Sequence, residues 1–293
     1  MVIVKIIGGL GNQLFQYAFG KAFEKKTGIK VFHDIEDFDV KYKLREISLQ
    51  HFNITLNVAD RKEIERLKSL FNKILFKIHC ASNGLFIKES NLRYYVEKDA
   101  LFHESVFSLN HDLYLDGYWQ SEKYFCEIKE LVRSEFKIIT PPGGLNLNTI
   151  NKINNSNSVS LHVRRGDFIT DPSAVKIYNN CSMQYYDAAI EYMAERVTDP
   201  LFFVFSDDIQ WVKENMTNKY NLIFVDQNDA DSSYEDLRLM SLCKHNIIAN
   251  STFSWWGAWL NSNKNKIVIS PEQWFINNSR SSADLIPGNW ITL

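Results

Sequence analysis

The sequence predicts a two-domain α/β protein built on parallel sheets. Three observations carry that prediction: a strand, glycine turn and helix at the start, short apolar runs alternating with helically spaced segments from Val159 onward, and a Pro/Gly/Asn-rich tract between the two regions. A chain of 293 residues, 45% of them apolar, is long enough for two cores of ordinary size, and its composition excludes wholesale disorder.

Taken in order, Ile3, Val4, Ile6 and Ile7 form the first apolar run, Gly8-Gly9-Leu10-Gly11-Asn12 the turn, and Phe15, Ala18, Phe19, Ala22 and Phe23 the buried stripe of a helix. Thr27-Gly28 ends that helix, and Ile29 to Phe32 reads as the next strand, closing on the acidic stretch Asp34 to Asp39. From Ala59 to Ile78 the spacing of Ile64, Leu67, Leu70, Phe71 and Leu75 predicts one packing helix. Thr140-Pro-Pro-Gly-Gly144 and the Asn-dominated tract from Asn146 to Asn157 predict a linker over 141–158. It would separate an N-terminal domain, 1–140, from a C-terminal one, 159–293. Downstream, strands are expected at Val159–Val163, Leu201–Phe205, Leu222–Val225, Asn246–Ala249 and Lys266–Ile269. Helices are expected at Tyr185–Arg196, after Asp208, at Tyr234–Cys243 and from Phe253.

Lys plus Arg (33) nearly balances Asp plus Glu (35), so no bulk positive field exists to hold nucleic acid or an anionic membrane, and an anionic ligand must be caught by a local site. Cys80, Cys126, Cys181 and Cys243 form no CxxC pair, which suggests neither a zinc site nor a disulfide framework and fits a reducing compartment. The apolar start, Met1 to Ile7, is too short for a signal peptide's core, and no run reaches the roughly 18 to 20 apolar residues that cross a bilayer. The expected location is the cytoplasm, with loose peripheral contact to a membrane left open.

In parallel sheets ligands bind beyond the carboxyl ends of strands, so the residues that follow each apolar run are the first candidates. Gly8-Gly9-Leu10-Gly11-Asn12-Gln13 is an incomplete dinucleotide fingerprint, since its third glycine position is Leu14, but its glycines allow close backbone approach and its Asn12 and Gln13 amides can bond a ligand; a tight structural turn explains it as well. Val159-Ser-Leu-His-Val-Arg-Arg-Gly-Asp167 ends in charge, with Ser160, His162 and Arg164 on one face and Val163 and Arg165 on the other. Arg164 suits a phosphate, and Arg165 suits a structural salt bridge with an acid such as Asp167. Phe202-Phe-Val-Phe-Ser-Asp-Asp208 ends in two carboxylates, of which one can cap the next helix and the other can accept from the N1–H and N2 amine of guanine. In Asn250-Ser-Thr-Phe-Ser-Trp-Trp-Gly-Ala-Trp259, Ser251 and Thr252 open a helix whose first amides can hold phosphate, although capping accounts for one hydroxyl; Trp255, Trp256 and Trp259 read as core before sugar platform. Asp229-Ala-Asp231 has the form of a metal pair but sits in a polar loop.

With GGLGNQLFQYAFG, HVRRGD at His162–Asp167, FSDD at Phe205–Asp208, NSTFSWWGAW at Asn250–Trp259 and Asp116-Gly-Tyr-Trp-Gln-Ser-Glu-Lys-Tyr-Phe125, the chain resembles bacterial α-1,2-fucosyltransferases. Protein O-fucosyltransferases and α-1,6-fucosyltransferases are remoter kin. The resemblance implies a GT-B-like fold, two Rossmann-like domains facing across a cleft, with GDP-fucose held mainly by the C-terminal one. It implies that Arg164 grips the pyrophosphate, that Gly9 and Asn12 reach the same region, that His162 and Asp208 read guanine, and that Ser251, Thr252 and the Phe253 amide hold phosphate oxygens. The acceptor is expected to be a β-galactoside glycan, the reaction inverting and independent of metal or other cofactor. Asp167 is the candidate base; Glu122, the acidic stretch near Asp37, or no protein base at all are alternatives. Two rival readings are a metal-dependent nucleotide-sugar transferase using Asp229 and Asp231, and a non-catalytic carbohydrate-binding protein.

Overall fold

The computed structural model describes residues 1–40, 47–166, 179–216, 220–276 and 281–293, with the backbone alone for Asp39 and Val40. Two compact units divide the chain, Met1–Lys137 with Ala283–Leu285, and Ile138–Ser282 with Ile286–Leu293.

In the first unit, β1 (Val2–Lys5), β2 (Val31–Asp34), β3 (Tyr94–Val96) and β4 (Leu113–Asp116) form a parallel sheet of order β2-β1-β4-β3. Helix α1 (Leu10–Thr27) follows the glycine turn and stops at Gly28, which takes the left-handed φ of 73° that a helix terminus favours. Its inward face is aromatic: Phe19 stacks on Trp119 with ring centroids 4.0 Å apart. The remaining helices of the unit are α2 (Glu36–Val40), α3 (Arg61–Leu67), α4 (Leu70–Ala81) and α5 (Lys129–Glu135).

The single packing helix expected over 59–78 is two helices, α3 and α4. Ser69 caps the second by accepting from the Asn72 amide, and the break changes the helical phase. Ile64 and Leu67 are buried as expected, but Leu70 and Phe71 face solvent and Phe76 turns inward against Tyr95, 5.7 Å between rings.

The second unit begins earlier than expected. Within the tract read as a linker, residues 144–154 form helix α6 (Gly144–Asn154), and β5 (Asn157–Val163) starts before the predicted boundary. Ile153 is fully buried beside Phe203 and Leu239, so packing outweighs the poor helix propensity of the asparagines. The sheet adds β6 (Pro200–Ser206), β7 (Asn221–Phe224), β8 (His245–Ile247), β9 (Val268–Ser270) and β10 (Ile291–Thr292), all parallel in the order β10-β9-β8-β5-β6-β7. Helices α7 (Met183–Ala194), α8 (Ile209–Asn215), α9 (Ser233–Leu242) and α10 (Thr252–Leu260) follow. One core cluster packs Tyr186, Ile190 and Met193 of α7 on Val159, Leu161 and Phe202, and a second packs Leu239 and Met240 of α9 on Phe203 and Phe205. Burial on both faces explains why β5 and β6 read as near-continuous apolar runs.

Candidate active site

The charged residues of the second unit gather where β5 and β6 end. Register sets His162 opposite Phe205 and Val163 opposite Ser206, so the Arg-Arg-Gly turn emerges beside Asp207 and Asp208. Arg164 Nη1 pairs with Asp207 Oδ2 at 2.9 Å, while the Arg165 amide donates to Asp207 Oδ1, also at 2.9 Å. One carboxylate thereby fixes the turn and orients the guanidinium of Arg164. A Cβ at Gly166 would overlap Asp207 Oδ2, so a larger residue there would displace the carboxylate that orients Arg164.

Arg165 faces elsewhere, as the period-two alternation anticipates. Its guanidinium lies 3.4 Å from the ring centroid of Trp211, and its Nε sits 3.5 Å from Asp208 Oδ2. Asp208 also caps α8, its Oδ1 accepting from the Trp211 amide at 3.3 Å. Capping thus falls to Asp208, the residue that the resemblance assigns to guanine, and Asp207 serves the arginines. Asp167, expected as a partner for Arg165 and as a base, lies outside the described residues.

His162 is buried, and burial together with the neighbouring Arg164 pushes its pKa down to about 3, so the imidazole is neutral throughout the working range. Its Nδ1 has no hydrogen-bond partner among the described residues. Such a buried orphan is costly unless a ligand or water satisfies it.

The ring of His162 lies 5.8 Å from that of Phe253, which ties the arginine turn to the N-terminus of α10. Ser251 caps this helix, its Oγ accepting from the Phe253 amide at 3.3 Å, and Thr252 is its first residue. Asn250 holds the loop before the cap by donating to the carbonyls of Asn179 and Trp274. Trp255, Trp256 and Trp259 are buried in ring contact with one another, and Trp290 closes on Trp255 at 5.4 Å. They are core.

In the first unit, Gly9 precedes α1 and its carbonyl accepts from the amides of Asn12 and Gln13. Gln13 is buried and turned inward, donating to the Gly8 carbonyl and accepting from the Ser48 amide, so of the two amide side chains expected to meet a ligand only Asn12 retains exposure. Gln120 Nε2 donates to Asn12 Oδ1 at 2.9 Å, which fixes the orientation of the Asn12 amide. Its nitrogen lies over Gly8, where an added Cβ would come within 2.7 Å of it.

Gln120 is itself held by a strained loop. Trp119 adopts φ 56°, a left-handed conformation that a bulky residue rarely takes. Both oxygens of Glu97 accept from this loop, Oε2 from the Tyr118 amide at 2.7 Å and Oε1 from the Trp119 amide at 3.0 Å, and Gln16 donates to the Gly117 carbonyl. The sequence assigns no role to Glu97, Gln120 or Trp211, and it offers Asp207 as a helix cap or a guanine acceptor but not as the partner of Arg164. Gln120 and Asp207 lie inside quoted motifs, whereas Glu97 carries no local signal.

Asp229 Oδ1 accepts from the Ser232 amide at 2.9 Å, a turn role, and no group of three His, Cys, Asp or Glu among the described residues is arranged to hold a metal. A further carboxyl has no spacing signature. Asp236, in the first turn of α9, bonds Asn228, which donates to Asn146, and burial with Glu235 alongside pushes its pKa up to about 7.

Two Rossmann-like units, each a parallel sheet with its charged residues at the carboxyl ends of the strands, are the components of a GT-B glycosyltransferase. The chain belongs to Glycosyl transferase family 11, whose sequence pattern matches residues 1–293. The resemblance drawn from its motifs is met at that level. It is 34% identical over 310 residues to the O-antigen biosynthesis glycosyltransferase WbnK of Escherichia coli, covering 98% of each chain. It is 35% identical over 306 residues to an Escherichia coli alpha-1,2-colitosyltransferase, covering 100% of this chain and 99% of that one. The fold matches that of the fucosyltransferase NodZ from Bradyrhizobium with a TM-score of 0.50 at 14% identity, over 87% of this chain and 90% of that one. No helix among the described residues is long and apolar enough to cross a membrane.

Proposed function

We propose that this glycosyltransferase moves L-fucose from GDP-fucose to the 2-hydroxyl of a terminal β-galactoside, with inversion and without a metal ion. The observation that carries the reading is the Arg164–Asp207 pair at the end of β5, beside the capped N-terminus of α10, in a chain of family 11. As the bond from fucose to GDP breaks, negative charge grows on the β-phosphate. A guanidinium held in place by a carboxylate needs no reorganisation to meet it. The N-terminus of α10 adds a positive dipole end and the hydroxyls of Ser251 and Thr252. With Arg164 and this helix supplying the positive charge, Mg²⁺ has no necessary role.

Recognition of the base is assigned to His162 and Asp208. The unsatisfied Nδ1 of His162 supports a ligand contact, and Asp208, 43% exposed, meets Arg165 only at the long distance of 3.5 Å, which a guanine edge can displace. Asn12 of the first unit is assigned to the pyrophosphate. Asp167 remains the proposed base.

A second donor is worth testing because one relative's name is that of an alpha-1,2-colitosyltransferase. Colitose is fucose without its 3-hydroxyl, so the two donors differ by a single hydrogen-bonding group. The test is transfer from GDP-fucose and from GDP-colitose to a panel of β-galactosides in EDTA, with the product linkage read by NMR. An α-1,2-fucosylated product supports the reading. Transfer of colitose in preference would reassign the donor, and activity restored only by Mn²⁺ would overturn the metal-independent mechanism.

A further inference from the structure

Helix α4 was expected to pack, yet it presents an apolar face to solvent. Leu70, Phe71, Ile74 and Ile78 lie on one side of it, and Leu85 and Phe86 follow in the next turn; all six are 40% to 80% exposed. At 100° per residue the four helical positions fall within one arc of about 100°. The opposite side is anchored, since Phe76 packs on Tyr94 and Tyr95, and His79 is buried. The following turn is fixed as well: the Gly84 amide donates to the His79 carbonyl, the His79 ring contacts the Ile87 carbonyl at 2.7 Å, and Gly84 takes φ 79°. Leu85 and Phe86 are therefore held out by an ordered turn beside the apolar arc.

The charge of this segment is of one sign and lies beside the exposed apolar face. Residues 67–88 contain Lys68, Lys73, Lys77 and Lys88 and no Asp or Glu, within a protein of net charge −2. Lys68 is paired with Asp34, but neither Lys77 nor Lys88 has a carboxylate partner among the described residues. On the helical wheel Lys77 borders the apolar arc, whereas Lys73, farther round, lies over the Tyr94 ring, 5.7 Å from its centroid. Exposed aliphatic and aromatic side chains flanked by lysines are the pattern of a helix lying in a lipid interface, its ammonium groups reaching toward the headgroups. At 12 residues, α4 is too short to span a bilayer.

We propose that the outer face of α4, with Leu85 and Phe86, docks on an anionic lipid surface. Charge complementarity selects this occupant. A second copy stacked face to face would set like charges against each other, whereas an anionic bilayer accepts both the apolar arc and the lysines. Docking would hold the enzyme at a membrane surface whatever its donor or acceptor.

The test is co-sedimentation of the full chain with vesicles of phosphatidylcholine containing about one-third phosphatidylglycerol, against pure phosphatidylcholine. The chain should pellet with the anionic vesicles and be largely released by high salt. Phe71→Ser combined with Phe86→Ser should lower partitioning at least about tenfold with no fall in melting temperature, since neither ring is part of the core. Lys77→Gln combined with Lys88→Gln should weaken binding and flatten its salt dependence. Absence of binding, or binding unchanged by the phenylalanine pair, overturns the proposal. A dimer in solution that those two substitutions dissolve would do the same, assigning the face to a second copy.

Discussion

Arg164 and Arg165 are adjacent in the chain and divide into different tasks. Arg164 is oriented by Asp207 beside the helix N-terminus, and Arg165 stacks on Trp211. Arg164→Ala should lower turnover at saturating donor at least about tenfold, the loss of one charged hydrogen-bonding group worth roughly 1.5 to 3 kcal/mol in the transition state. Arg165→Ala should chiefly lower the melting temperature, by the loss of a cation–π contact worth about 1 kcal/mol or more. The reverse pattern in turnover and melting would exchange the two assignments. A second pair can be resolved by a double-mutant cycle. If Gln120 acts by orienting Asn12, then Gln120→Ala and Asn12→Ala should each weaken GDP binding, and the double variant should be little worse than Asn12→Ala alone. Additive losses would mean that Gln120 acts independently of Asn12.

Between elements, the close packing of α9 on α10 depends on one residue. Gly257 lies so close to α9 that an added Cβ would stand 2.8 Å from Met240 Cβ. Gly257→Ala should destabilise by about 1 to 3 kcal/mol in urea titration, because two backbones must separate. Met240→Ala should not rescue it, since alanine keeps the colliding Cβ; a full rescue would show that the Met240 sulfur, and not the helix spacing, is limiting. Elements of this kind are legible in sequence when burial imposes a pattern. The strands β5 and β6 stand out as apolar runs because both of their faces are buried, and the charge after β5 marks the site because it breaks such a run. Helix α6 was illegible because its asparagines mimic a linker and only Ile150 and Ile153 meet the core. In α4 the apolar spacing was legible but not its direction, because one cap at Ser69 resets the helical phase. Strand β3, three residues long, is too short to carry a period. At the site, the arginine turn was readable from local sequence, while Glu97, which steadies the Trp119 loop, is separated from it by 21 and 22 residues and leaves no local trace.

Across the whole molecule, the two units should respond differently to pH. In the first, burial pushes His33 down to about 4, and Asp34 is also lowered, by hydrogen bonds from Tyr114 and Lys68 that overcome its desolvation. An unfolded histidine binds a proton near pH 6.5 that native His33 refuses, so the unit loses stability as pH falls from about 6.5 toward 4, and Asp34 adds to the loss at still lower pH. In the second unit His162 and His245 are lowered in the same sense, but Asp236 opposes them. Its carboxyl holds a proton up to about pH 7 in the native state, whereas the unfolded side chain releases it near 3.8. Asp236 therefore costs nothing below about pH 4, costs progressively more up to about pH 7, and carries a constant penalty above that, on the order of a few kcal/mol. Asn228 can donate to an amide oxygen as it does to the carboxylate, so Asp236→Asn preserves that bond and removes the ionisation. The variant should melt several degrees above the wild type at pH 8, with the advantage shrinking through neutrality and disappearing near pH 4. Melting curves of the ligand-free proteins across that range check it: parallel profiles for the two would mean that Asp236 is ionised at neutral pH in the folded chain, and that the Asn228–Asn146 network accommodates its charge.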